Sequence, residues 1–408
     1  MFSRVIWIVL DSVGIGPLPD AGDYGDIPPG LAWQDGRNTL GHIARERARP
    51  PGGRKGSPLR IPNLVKLGLA NIAALEGLTP PAQPMGCYGK GATHSPGKDT
   101  TTGHWEMAGI WLDQAFPVYP SGFPPEVIKA FEQAIGRRTL GNKPASGTEI
   151  IKELGAEHVR TGFPIVYTSG DSVFQIAAHE EVIPIPGLYR MCEIARKVLD
   201  GKHRVGRVIA RPFLGVAGAY QRTERRHDYA VEPPRPMLLD VLAERAVPVF
   251  GVGKIHDIYN GRGVEHYSAT KNNADGMAKL HEALARQVRG LVFANLVDFD
   301  MLYGHRKDVA GFARSLEEFD ALLGPLLEGM RASDLLMITA DHGCDPCPCS
   351  ASTDHSREYV PIVTFSPGSQ RGINLGTRDT LADLGQTVAG IFGGTIPQGK
   401  SFLPAIQA

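Results

Sequence analysis

The sequence predicts an α/β protein: a mostly parallel central sheet flanked by helices, with a smaller α+β region inserted into it. Three observations carry that prediction. Short, continuous apolar runs alternate with helical patterns, as parallel strands buried on both faces do. Three of those runs end directly in acidic residues. The stretch 113–231 has a different texture, with scattered Pro, Gly and charge.

Taken in order, residues 5–10 (VIWIVL) read as the first strand. Segment 44–58, rich in Arg, Gly and Pro, reads as an exposed loop. In the middle of the chain, Ser146 and Glu149 form a capping-box pattern that opens a helix over 150–155. Runs 165–168 and 207–210 read as short strands, and Pro-rich stretches at 116–125 and 232–236 mark the ends of the insertion. A helical pattern over 237–245 precedes a strand at 247–251, and further strands follow at 291–297 and 335–339. Between the last two, Phe312, Leu316, Phe319, Leu322 and Leu323 recur at helical spacing, and Gly324-Pro325 predicts a break or kink there. The expected division is a core of 1–112 with 232–408 and an inserted domain of 113–231.

Composition narrows the function. The 408 residues are 42% hydrophobic and 21% charged, ordinary for a globular chain with a sizeable core. Lys+Arg and Asp+Glu both total 43, so the basic excess of a nucleic-acid binder is missing. No apolar run reaches the roughly 18 residues of a membrane span. The apolar start of the chain is short and leads straight into Asp11, so it reads as a strand and not a secretion signal, and the expected location is the cytoplasm. Five cysteines, an odd number in a long chain, predict reduced thiols rather than a disulfide framework.

The strand ends point to chemistry. The first run meets Asp11, the run at 291–297 meets Asp298 and Asp300 with His305 just beyond, and the run at 335–339 leads to Asp341 and His342, with Asp354 and His355 further on. Ligands of open parallel sheets bind at the carboxyl ends of strands. A mixture of carboxylates and imidazoles suits zinc or manganese better than calcium, and the set is large enough for two ions. Two ions roughly 4 Å apart clamp the entering and leaving oxygens of a phosphoryl group. Residues 97–106 (GKDTTTGHWE) add hydroxyls that metal coordination can activate as nucleophiles, and spacing alone leaves Thr100, Thr101 and Thr102 open. There is no P-loop, no GxGxxG and no G-x-S-x-G elbow.

Together these segments resemble the phosphopentomutases of the alkaline phosphatase superfamily. The resemblance runs nearly end to end, through residues 11–14, 97–106, 146–148, 168–173, 205–212, 253–255, 295–306, 340–343 and 354–361. It implies an alkaline-phosphatase-like core with an inserted cap. It implies two manganese ions (other divalent ions being possible), one held by Asp300, His305 and His355, the other by Asp11, Asp341 and His342. The phosphorylated threonine of the family follows the Lys-Asp pair, here Lys98-Asp99, which selects Thr100. The implied substrate contacts are Ser169, Gly170, Asp171 and Val173 for the sugar, and Arg207, Ile209, Arg222 and Lys254 near the distal phosphate. The implied reaction interconverts the 1- and 5-phosphates of ribose or deoxyribose through a phosphothreonine and a pentose 1,5-bisphosphate. A bisphosphate sugar such as glucose 1,6-bisphosphate or ribose 1,5-bisphosphate serves as activator, and the partners are small pentose phosphates rather than nucleic acid or membrane.

One segment departs from the family. Between Gly343 and Asp354 the chain carries Cys344, Cys347 and Cys349, where the usual segment is shorter and not rich in cysteine. Three soft donors without a clear fourth make a weak zinc site, so the expectation is bystander thiols. The competing readings are a two-metal phosphatase or phosphodiesterase on the same core, a phosphoglycerate mutase of the same superfamily, and a non-catalytic metal-binding or redox protein built on the cysteines.

Overall fold

The computed structural model describes residues 2–28, 30, 32, 35–49, 56–170, 172–234, 236–348 and 352–407. The chain divides into two compact units, one of Met1–Gln114 with Pro233–Ala408 and one of Ala115–Glu232. Among the described residues fourteen strands are formed: β1 Arg4–Leu10, β2 Cys87–Gly91, β3 Leu140–Pro144, β4 Ile165–Thr168, β5 Val173–His179, β6 Arg207–Leu214, β7 Gln221–Arg222, β8 His227–Ala230, β9 Val249–Val252, β10 His266–Ser268, β11 Gly290–Leu296, β12 Asp334–Thr339, β13 Val360–Phe365 and β14 Asn374–Arg378.

The first unit is built on an eight-stranded sheet in the order β10-β9-β11-β1-β12-β13-β2-β14. The five strands from β10 to β12 run parallel, β13 is antiparallel to both neighbours, and β14 returns to parallel pairing with β2. The expected α/β fold, mostly parallel and flanked by helices, is the fold observed. Every residue of β1, β11 and β12 is buried, which is why each reads as an unbroken apolar run. The exceptions confirm the rule that buried charge is paired. Arg4 opens β1 and Asp334 opens β12, opposite each other in register, joined by hydrogen bonds of 2.9 and 2.6 Å.

Helix Val309–Glu328 packs on helix Asn273–Arg286, which in turn packs on β11. Phe312, Leu316, Phe319 and Leu323 are buried as their spacing predicts, but Leu322 faces solvent. The predicted break at Gly324-Pro325 does not occur. Proline removes one backbone donor, whereas burial of Leu323 and Leu326 on either side holds the helix through it. The expected loop at 44–58 also needs correction. Residues up to Ala48 belong to helix Thr39–Ala48, capped by Asn38 and anchored by buried Leu40, Ile43 and Ala44, while residues 50–55 lie outside those described.

The second unit has its own sheet, β3-β4-β5-β6-β7, with β8 also paired to β6. Its helix Gly147–Thr161 is capped by Ser146, whose hydroxyl accepts from the Glu149 amide at 3.2 Å. Separate apolar clusters fill the two faces of this sheet, one around Phe131 and Phe174, the other around Ile150, Tyr167 and Phe213. Among the described residues, no helix is long and apolar enough to cross a membrane.

A candidate metal centre beside a capped threonine

In the first unit, β1 lies between β11 and β12. Their parallel register aligns Leu10 with Leu296 and Val9 with Thr339, so three segments far apart in sequence end at one level of the sheet. Asp11 follows β1, Asp300 lies in the turn of π-helix Phe299–Gly304 after β11, and Asp341 and His342 follow β12. The backbone turns sharply after Asp11. Ser12 adopts φ 70°, and its amide donates to Asp341 Oδ1 at 3.0 Å, tying one strand end to the next.

Two groupings of potential ligands result. Asp11, Asp341 and His342 each present a ligand atom within 4.8 Å of the others, and so do Asp300, His342 and His355. His342 Nε2 is 3.6 Å from Asp11 Oδ1 and 3.4 Å from Asp341 Oδ2, and His355 Nε2 is 3.2 Å from Asp300 Oδ1. His305 joins Asp300 with Nε2 at 3.4 Å from Oδ2. Its Nδ1 lies 2.7 Å from the Thr353 carbonyl, which can only accept, so Nδ1 carries a proton and Nε2 is the nitrogen that faces Asp300.

These residues suit divalent ions. Asp11 Oδ1, Asp300 Oδ1 and Asp341 Oδ2 are buried and lack any hydrogen bond, although histidine nitrogens approach them closely. Close approach without hydrogen-bond geometry is what donors directed at a shared cation show, and buried unpaired carboxylates are otherwise costly. The charges tell the same story. Burial and the neighbouring Asp341 push the Asp11 carboxyl well above the usual range. Asp341 is also opposed by burial, but His342 and His104 outweigh it and hold it at about 2. Burial likewise disfavours charge on His305, yet Asp300 lifts it to about 12, while burial leaves His342 below its ordinary value. A cation among them would relieve the crowded negative charge.

The structure distinguishes Thr100 from Thr102. Asp99 caps helix Thr100–Met107, accepting from the Thr102 amide at 3.0 Å and from the Thr102 hydroxyl at 2.6 Å. That hydroxyl is therefore engaged and buried. Thr100 Oγ1 instead lies 3.3 Å from His342 Nε2, at the first residue of the helix. Glu106 fixes the other end of the segment by accepting from the amides of His94 and Ser95, each at 2.7 Å.

The remaining carboxylates fall elsewhere. Asp298 accepts from the Asn273 amide at 2.7 Å and so anchors a helix start, and half-buried Asp354 is 3.3 Å from Lys98. Lys254, after β9, stands 4.0 Å from Asp11 Oδ2. In the second unit, Val173 pairs with Arg207 at the start of β5 and β6, and Ile209 lies two positions on. Ser169 and Gly170 precede Val173 in the turn from β4, and Asp171 lies outside the described residues. Arg207 is 3.5 Å from Asp228. Arg222 pairs with Phe213, six positions along β6 from Arg207, so these two arginines start from opposite ends of the strand.

Two residues of this centre were not singled out from sequence. His104 lies one helical turn past Thr100, its Nδ1 2.9 Å from the Thr100 carbonyl and 3.3 Å from Asp341 Oδ2. Asn295 donates to Asp11 Oδ2 at 3.0 Å. A polar amide inside the apolar run of β11 was the signal available, because a buried amide needs a partner. The cysteines also need correction: Cys347 is disulfide-bonded, so this loop is not wholly reduced, whereas Cys344 is a free, buried thiol.

The pattern of the Metalloenzyme superfamily matches residues 3–395. A phosphopentomutase of Carboxydothermus hydrogenoformans is 55% identical over 404 residues, covering 99% of both chains. One of Desulfitobacterium hafniense is 55% identical over 401 residues, 98% of both, and one of Clostridium novyi 52% identical over 407 residues, the full length of both.

Proposed function

This chain belongs to the phosphopentomutase family, and from that premise we propose that it interconverts the 1- and 5-phosphates of ribose or 2-deoxyribose, with Thr100 as the phosphate carrier. It is an isomerase that uses divalent metal. The observation that carries the reading is the meeting of Asp11, Asp300, Asp341 and His342 at adjacent strand ends with Thr100 Oγ1 3.3 Å from His342 Nε2.

Asp300, His305 and His355 would hold one ion, and Asp11, Asp341 and His342 the other; manganese fits this mixed oxygen and nitrogen set. Bound there, such ions neutralise phosphate charge and activate a hydroxyl. The chain supplies the rest. Thr100 opens its helix, where unpaired amides and the helix dipole favour a covalently held phosphate. His104 and Asn295 orient Asp341 and Asp11. Lys254 adds positive charge beside Asp11.

In the forward direction, phosphate on Thr100 passes to the C1 hydroxyl of the 5-phosphate. The new O1–P bond replaces the Oγ1–P bond, the C1 hydroxyl loses its proton, and Thr100 is left as the free hydroxyl. The resulting 1,5-bisphosphate returns its C5 phosphate to Thr100. Ser169, Gly170, Asp171 and Val173 bind the sugar, while Arg207, Ile209, Arg222 and Lys254 meet the phosphate not in transfer, the arginines as bidentate forks. A bisphosphate sugar primes Thr100.

The test compares wild type with Thr100→Ala, given manganese, ribose 1-phosphate and a trace of glucose 1,6-bisphosphate. Ribose 5-phosphate made by wild type and not by the variant is the expected result. Free phosphate in its place would make the enzyme a phosphatase, and an active Thr100→Ala would remove Thr100 from the mechanism.

A further inference from the structure

Cys344 takes no part in the mechanism above, yet it stands at the centre. Its side chain is fully buried. Its amide donates to the Ser12 carbonyl at 3.1 Å and to Thr39 Oγ1 at 3.2 Å, which anchors it beside the turn that follows Asp11. Its Sγ lies 3.9 Å from His305 Nδ1. Asp300, His305 and Cys344 form a further grouping in which each offers a ligand atom within 4.8 Å of the others.

The backbone makes room for this sulfur. A Cβ on Gly304 would sit 2.8 Å from Cys344 Sγ, so only glycine lets the segment bearing Asp300 and His305 pack against it. The thiol has no strong partner of its own, its nearest acceptor being the Asp354 carbonyl at 3.8 Å. Asp300 Oδ1, in the same grouping, is buried without a hydrogen bond. A soft donor and an unsatisfied hard one therefore face the same small volume.

We propose that Cys344 is an additional ligand for a thiophilic ion at the Asp300 position, so that zinc, cadmium or cobalt bound there gains a sulfur bond that manganese does not. Binding converts the thiol to a thiolate and releases its proton to solvent; no oxidation is involved. Thiolates favour zinc-like ions, whereas oxygen ligands suit manganese. The centre then discriminates among metals through one residue, holding zinc more tightly than a purely oxygen and nitrogen site would. The inference rests on the metal centre proposed above.

The experiment loads the full-length, metal-stripped protein with cobalt(II) and records its absorption spectrum. Visible d–d bands report occupancy of the centre by any ligands. A near-ultraviolet sulfur-to-cobalt charge-transfer band reports the thiolate. The expected result is both, with the charge-transfer band lost in Cys344→Ser and kept in a Cys87→Ser/Cys192→Ser variant. The Cys344→Ser protein should also bind zinc at least about tenfold more weakly, the scale on which even residues outside a coordination sphere act, with manganese affinity unchanged. Visible bands without a charge-transfer band in wild type would overturn the role of Cys344 while leaving the centre intact. A charge-transfer band that survives Cys344→Ser would overturn it too. The absence of both bands would overturn the centre itself. Should Cys344→Ser fail to fold, the wild-type spectrum and the Cys87→Ser/Cys192→Ser variant still decide.

Discussion

Gly103 lies on the helix that begins at Thr100, facing Asp341, two residues past the end of β12. A Cβ there would stand 2.3 Å from the Asp341 carbonyl oxygen and 2.8 Å from both its carbonyl carbon and its Cβ. Neither partner is a flexible side-chain tip. Opening the contact to about 3 Å moves one backbone or the other by roughly 0.7 Å, and overpacking of this kind costs about 1–3 kcal/mol. The helix carries Thr100, and the strand end carries Asp341 and His342, so the shift falls on the 3.3 Å approach of Thr100 Oγ1 to His342. Misplacement on the order of 1 Å costs up to about 100-fold in rate. Gly103→Ala should therefore lower kcat by about one to two orders of magnitude, with a modest fall in melting temperature. Conversion of ribose 1-phosphate to ribose 5-phosphate, measured beside a thermal melt, tests both. The control is Gly187→Ala, also helical, whose added Cβ meets only Ile183 Cγ2 at 3.5 Å and should leave the rate unchanged. A folded Gly103→Ala with wild-type kcat would refute the claim that this close approach sets the position of Thr100.

Two further outcomes are expected. Stripping divalent ions with a chelator should abolish turnover and lower the melting temperature, because ions bound only by the folded state add about 2.7 kcal/mol at 100 times their Kd; a melt indifferent to chelation and to manganese would contradict the ion-binding reading of Asp11, Asp300 and Asp341. The second concerns pH. Burial opposes ionisation of Asp345, but His42, 2.5 Å away, and the amides of Asn38 and Cys347 outweigh it and hold its carboxyl below the ordinary 3.8. A depressed folded-state value means stability that is present above the unfolded value and lost as pH falls through the folded one. His42→Ala should thus lower stability at neutral pH and flatten the acid limb of urea midpoints taken between about pH 5 and pH 2. An acid limb identical to that of wild type would show that His42 does not sustain the Asp345 charge.

The parts of this structure legible in sequence are those set by local pattern. The unbroken apolar runs of β1, β11 and β12 announce buried parallel strands, and each run shows its acidic terminus directly. What local pattern does not carry is adjacency. That β1 lies between β11 and β12 is decided by crossovers spanning hundreds of residues, and only this order brings Asp11, Asp300 and Asp341 to one place. Spacing alone left the threonines open and the family pattern after Lys98-Asp99 pointed to Thr100; the fold adds that Asp99 occupies the Thr102 hydroxyl while Thr100 lies beside His342. Asn295 was missed because a single polar residue in an apolar strand carries no period, and His104 because it is one polar residue among several in a short, largely polar helix. Pro325 misled for the opposite reason: its local preference is strong, and tertiary burial overrode it.

The same strand order constrains how the protein is made. β1 emerges early and can complete neither of its edges until β11 and β12 follow, since Arg4 pairs with Gly290 on one side and Asp334 on the other. At roughly 5–20 residues per second, a ribosome takes on the order of 15–60 seconds to supply the first of those partners. Through that interval the second unit can be synthesised whole, while a seven-residue strand, apolar in all but its opening Arg4, waits with both hydrogen-bonding edges open. Pairing over such separations is intrinsically slow. Metal capture is consequently one of the last events in maturation, and the nascent chain depends most on protection from aggregation before its catalytic centre exists.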